Sequence, residues 1–138
     1  MSLFVDTSVW SLAFRRDTPA AAPEVGELAR ALGNGETIVT TGLVLQELLQ
    51  GFAGPRACQD ILARFSALPF LVPERRDHVE AAELRNVCRR GGVQIQTIDA
   101  LLAQLCLHHD LPMLTADRDF HGIAGHSTLK LWRRHSPP

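Results

Sequence analysis

Short apolar runs alternate along this chain with segments of helical spacing, and that alternation restricts the fold more than any other feature. The runs are Leu3-Phe4-Val5, Thr37-Ile38-Val39-Thr40-Thr41, Phe70-Leu71-Val72 and Pro112-Met113-Leu114-Thr115. Each is too short for a buried helix, and the second is β-branched throughout, so they predict strands. Helical patterns fill the gaps. Ser8 to Arg15 predicts the first helix. A second starts at Asp17-Thr18-Pro19, continues through Glu24 to Leu32, and stops at Gly33-Asn34-Gly35. Others follow at Leu43–Gln50, Pro55–Ala67, Asp77–Arg90 and Ile98–His109, with Thr97 expected as the N-cap of the last. Leu129-Lys130-Leu131-Trp132 predicts a short fifth strand. Parallel strands need long crossover connections, usually helices. The reading is therefore an α/β fold with a mostly parallel central sheet of four to five strands flanked by helices.

A chain of 138 residues with 46% apolar and 21% charged side chains suits one domain, residues 1–138. No apolar run reaches the ~18 residues of a membrane span. The opening Met1-Ser2-Leu3-Phe4-Val5-Asp6 has neither the basic start nor the long apolar stretch of a signal peptide, so a cytoplasmic location is expected. Cys58, Cys88 and Cys106 are widely spaced and odd in number, and are expected to be buried thiols rather than a disulfide framework. The net charge of −1 argues against a protein that coats nucleic acid by charge alone. It leaves open an enzyme that grips a short stretch of RNA. Thirteen of the fourteen basic residues are arginine, the side chain suited to bidentate phosphate contacts.

The acids fall at telling places on this map. Asp6 ends the first strand, and Asp117 and Asp119 follow the fourth. Ligands of open α/β sheets bind at the carboxyl ends of strands, near a topological switch point. By helical spacing Glu47 lies at the border of an apolar face, and Asp99 lies in the first turn of its helix, again at a core border. Taken singly, these acids also suit capping, Asx turns or surface charge. Gathered around one cavity, they would repel each other unless a cation joined them. Oxygen donors select Mg²⁺ or Mn²⁺, which suits chemistry on phosphodiesters.

The ordered set resembles the motifs of PIN-domain ribonucleases. Phe4-Val5-Asp6-Thr7-Ser8 resembles their opening motif, Leu45-Gln46-Glu47-Leu48-Leu49-Gln50-Gly51 the second, and Asp99-Ala100-Leu101-Leu102-Ala103 the third. Leu111-Pro112-Met113-Leu114-Thr115-Ala116-Asp117-Arg118-Asp119-Phe120 is similar to the fourth and is the most specific match. The small size looks like the VapC toxins of VapBC modules. This resemblance implies a Rossmann-like α/β/α sandwich and Mg²⁺- or Mn²⁺-dependent endonucleolytic cleavage of RNA. It carries over Asp6, Glu47, Asp99 and Asp117 as catalytic, metal-holding acids, with Asp119 as an alternative fourth ligand. Thr7, Ser8 and Thr115 match polar positions that line the pocket. The implied partners are an RNA substrate and a small VapB-like antitoxin. A homodimer and an antitoxin groove are expected on the apolar helices Leu43–Gln50 and Pro55–Ala67.

Other readings compete. A haloacid-dehalogenase-type phosphotransferase needs a second aspartate where Ser8 stands, and a receiver domain needs a phosphorylatable strand that is missing. A PIN fold that only binds a partner is the non-enzymatic alternative. Cys106 and His109 lie one helical turn apart but lack paired zinc-ligand spacing. His108 and His109 are expected at a helix C-terminus, where the dipole favours them.

Overall fold

The computed structural model describes residues 1–15 and 22–133. The expected helix start at Asp17-Thr18-Pro19 lies outside the described residues. Four parallel strands form the sheet: β1 (Ser2–Val5), β2 (Thr37–Thr41), β3 (Phe70–Leu71) and β4 (Met113–Leu114), in the order β3-β2-β1-β4. Around it lie α1 (Thr7–Phe14), α2 (Pro23–Gly33), α3 (Gly42–Gly51), α4 (Pro55–Phe65), α5 (Arg75–Arg90), α6 (Thr97–His108) and α7 (Asp119–Ala124).

Central strands buried on both faces need no polar alternation. β1 has that character, since Phe4 and Val5 are fully buried and Asp6 follows directly. The chain builds from β1 through β2 to β3 on one side, then returns to lay β4 against the other side of β1. The switch point thus falls between the ends of β1 and β4, where Asp6 and Thr115 emerge. The register Val5↔Leu114 fixes that neighbourhood.

Ala100 to Cys106 are buried without a break, so α6 runs through the core. Its first turn is consequently held firmly, and that turn carries Asp99. Gln104 is the one polar residue of that buried run, and its amide donates to the Glu80 carboxylate, as a polar group sealed from water requires.

Several expectations change. Leu129-Lys130-Leu131-Trp132 forms no fifth strand. Only Leu131 bridges Met113, through Met113 N–H to the Lys130 carbonyl and Trp132 N–H to the Met113 carbonyl, both 2.9 Å. β4 offers only two residues before Thr115 turns to meet Asp6, so a neighbour has little to pair with. Thr97 is the first helical residue of α6, and Gln96 takes the cap position. α5 begins at Arg75, because Glu74 and Asp77 form a capping box across its first turn. Cys88 and Cys106 are buried as expected, whereas Cys58 is half-buried, its thiol on the Phe52 carbonyl at 3.0 Å.

The link from α5 to α6 packs tightly on α7. A Cβ placed on Gly122 would lie 2.7 Å from Cγ1 of Val93, a side chain with little rotamer freedom. Gly122→Ala is expected to cost about 1–3 kcal/mol, since the loop leading into Asp99 must shift. Gly26, inside α2, faces open space. Gly26→Ala should stabilise by about 0.5–1 kcal/mol. Urea unfolding of the two variants checks the contrast; equal midpoints would contradict it.

Candidate functional site

Strand ends and two helix starts deliver the acids to one end of the sheet. Asp6 is 3% exposed, and both its oxygens accept from hydroxyls: Oδ1 from Ser8 at 2.6 Å, Oδ2 from Thr115 at 2.8 Å. Each hydroxyl in turn accepts a backbone N–H from the loop after β4. Ala116 donates to Ser8 Oγ at 2.9 Å, and Asp117 donates to Thr115 Oγ1 at 3.0 Å. Two relays therefore tie the β4 loop to the Asp6 carboxylate and aim it. Glu47, from α3, accepts the Thr7 hydroxyl at 2.8 Å. Asp119 donates its backbone N–H to Asp117 Oδ1 at 2.9 Å, an Asx-type turn.

Carboxylate oxygens of Asp99, Asp117 and Asp119 lie within 4.8 Å of one another. Asp6 and Glu47 stand outside that trio. Burial first, and then the charge of Asp117, push Asp6 up to about 6, against the pull of its Ser8 and Thr115 bonds. Asp99 is pushed up to about 6 as well, by burial first, then by Asp117 and Asp119, with Glu47 adding to the rise. The Gln96 backbone N–H offsets part of this. Like charges crowded in a partly dry pocket shift in this way when no cation joins them. The donor set is all oxygen, which fits a hard divalent cation. Asp117 and Asp119 both reach Asp99, so the structure brings both alternatives for the fourth acid to the same place.

These shifts have a sign. Both groups hold their protons more tightly folded than at the ordinary 3.8. Their contribution to stability is fully present below pH 3.8 and is lost as pH rises through about 6. Metal-free protein is therefore expected to melt at a higher temperature at pH 5 than at pH 7. For buried Asp6 a shift near two units corresponds to on the order of 3 kcal/mol across the whole window. Thermal melts in EDTA, with Asp6→Asn as the reference lacking this titration, provide the check. A wild type that loses stability toward pH 5 relative to that variant would contradict the assignment.

Sequence reasoning placed Thr7, Ser8 and Thr115 at the pocket but missed the backbone N–H groups of Ala116 and Asp117 that complete the relays. No local pattern marks them. It also missed a second cluster, Glu74, Asp77 and His108. His108 sits in the last turn of α6, as expected, yet its Nδ1 is bound to Asp77 Oδ1 at 2.7 Å. Asp77 is fully buried, and its other oxygen accepts the Glu74 N–H. Burial raises its pKa, but the bonds from Glu74, His108 and Gln104 outweigh this and hold it below the usual range. The Glu74-x-x-Asp77 spacing was the available signal for this structural lock.

A sequence model of the PIN domain matches residues 3–126 of the chain. Solved structures share the fold. VapBC2 from Rickettsia felis, bound to a DNA fragment from its promoter, has a chain 20% identical with a TM-score of 0.74, covering 96% of this chain and 98% of that one. VapBC-1 from nontypeable Haemophilus influenzae gives 18% identity, a TM-score of 0.72, and coverage of 96% and 97%. Mycobacterium tuberculosis VapC20, a Sarcin-Ricin loop cleaving toxin, gives 22% identity, a TM-score of 0.66, and coverage of 93% and 98%.

Proposed function

Since the chain belongs to the PIN-domain family, we propose that it is a metal-dependent endoribonuclease and the toxin half of a type II toxin–antitoxin pair. The observation that carries this reading is the meeting of Asp99, Asp117 and Asp119 beside buried Asp6 at the switch point of a parallel sheet. Asp6, Glu47, Asp99 and Asp117 would hold Mg²⁺ or Mn²⁺, with Asp119 adjacent. A divalent cation in such a site supplies a more acidic water and neutralises charge that builds on phosphate and leaving oxygen. The chain's own residues prepare the site. Ser8 and Thr115 fix both oxygens of Asp6, and Thr7 orients Glu47. Fixed carboxylates need no rearrangement as the reaction proceeds, which is where an enzyme gains over water.

The partner reading rests on the same family. Relatives of this fold occur as VapBC complexes, and this chain has an apolar cleft of about 300 Å³ lined by Leu45, Leu62, Phe65, Leu68 and Phe70. Leu62 is 50% exposed and Phe70 41%. An amphipathic antitoxin helix would cover this face, with arginine or lysine from its tail opposing the acids, and two such chains would pair as a homodimer. Among the described residues no helix is long and apolar enough to cross a membrane.

The test is cleavage of single-stranded and structured RNA by purified protein. Mg²⁺ or Mn²⁺ should support cutting, EDTA should abolish it, and the product of the neighbouring gene should co-purify and inhibit. Binding of that neighbour without any cutting would instead favour a PIN fold that acts only as an interaction module.

A further inference from the structure

The antiparallel pair α5–α6 closes at one end and opens at the other. Asp77 meets His108 at the closed end, and Glu80 meets Gln104 further along. Beyond them the helices part around a cleft of about 230 Å³. Ala81, Ala100 and Leu101 make its buried, apolar floor, and His78, Arg85, Asn86 and Thr97 make its polar wall. Thr97 opens α6, two residues before Asp99, so the cleft ends within one helical turn of the acids along that helix. Helical spacing puts the two on opposite sides of α6.

Arg85 is preset. Its Nε donates to the Ile95 carbonyl at 2.9 Å, which fixes the guanidinium plane. The two terminal nitrogens have no hydrogen bond or ion pair among the described residues. Asn86 is preset too. Its Oδ1 accepts from Arg89 at 3.0 Å, leaving its amide N–H groups to donate. No carboxylate lines this cleft. Other cavities differ on this point: Arg30 in one is already held by Glu27 and Glu36, and Lys130 in another by Asp110.

We propose that the α5–α6 cleft is a base-binding subsite for the RNA, and that the base it takes is guanine. This rests on the ribonuclease reading. An oriented guanidinium over an apolar floor suits a flat base with two adjacent acceptors, and guanine O6 and N7 provide them. The volume is below the ~300–1,000 Å³ of pockets for drug-sized ligands, so it takes one base, not two. A strand lying across the acids reaches the cleft by passing the N-terminus of α6. The subsite therefore selects a nucleotide flanking the cut, without touching the scissile phosphate.

The experiment measures binding of fluorescent single-stranded RNA octamers, with and without guanine, in millimolar Mg²⁺. Asp6→Asn protein serves as the parent, so that the RNA stays intact. We expect the parent to bind the guanine-containing octamer at least about tenfold more tightly. Two further variants test the cleft. Ala82→Phe fills its mouth from an exposed position, and Arg85→Gln removes the guanidinium. Each should bring the affinity for the guanine-containing octamer down to that for the guanine-free one. A parent without preference, or a preference that survives both variants, overturns the proposal. Wild-type cleavage of the same RNAs separates this from the ribonuclease reading. Guanine preference without any cleavage sinks that reading and keeps the subsite, whereas cleavage without guanine preference sinks the subsite alone.

Discussion

Asp6→Asn is expected to lower metal-dependent RNA cleavage by at least about a hundredfold. Mutating groups that merely support a metal ligand typically costs about 10–100-fold, and Asp6 is proposed as a ligand itself. The substitution is nearly isosteric, so the fold should survive it. Two things fail together. A negative charge disappears from the pocket, and an amide N–H₂ now faces either Ser8 Oγ or Thr115 Oγ1, both of which donate to Asp6 in the wild type. One relay to the β4 loop must then reverse or break. Asp110→Asn is the matched control, because that side chain is exposed and its ion pair is to exposed Lys130; it should cut RNA as the wild type does. Glu47→Gln and Asp99→Asn should be crippled like Asp6→Asn. Full activity in Asp6→Asn would sink the mechanism.

In metal-free buffer, Asp99→Asn should be as stable as the wild type or more so. Added Mg²⁺ should raise wild-type stability and affect the variant much less. Asp99 carries its charge against Asp117, Asp119 and Glu47 in a partly buried place, so the folded state bears repulsion that the unfolded chain escapes. An amide removes the charge and keeps the shape. Mg²⁺ that binds only the folded form adds about 2.7 kcal/mol at a hundred times its dissociation constant. A structural acid behaves oppositely: losing a helix cap costs about 1 kcal/mol. Asp99 lies in the first turn of α6, where the Gln96 backbone offsets part of its rise, so the loss of that favourable influence works against the gain, and the sign of the change shows which is larger. Melts of both proteins in EDTA and in millimolar Mg²⁺ distinguish the cases. A variant clearly weaker in EDTA, together with a wild type indifferent to Mg²⁺, would move Asp99 to the scaffold.

The strands and helices were legible because local residues decide them. Thr37 to Thr41 is β-branched, Gly33-Asn34-Gly35 stops a helix, and Leu3-Phe4-Val5 is apolar enough to be buried on both faces. Alternation of such segments implies crossover helices and a parallel sheet, and acids at strand ends follow from reading positions along the chain. Pairing strength over distance was not legible. Leu129-Lys130-Leu131-Trp132 has the look of a strand, yet it makes a single bridge, because β4 gives it only Met113 to pair with. Asp77 looked like the start of α5, but its side chain reaches back to the Glu74 N–H and begins the helix earlier.

What the sequence determined by itself, then, is the kind and order of the elements and the positions of Asp6, Glu47, Asp99, Asp117 and Asp119 upon them. Only the tertiary structure decided that β4 lies beside β1, that Asp117 and Asp119 both reach Asp99, and that Ser8 and Thr115 lock Asp6. The physical reason is range. Helix and strand periods are set by residues a few positions apart, whereas Thr115 meets Asp6 across 109 positions of sequence. That meeting exists only because β1 and β4 are buried side by side, and no neighbouring residue encodes it.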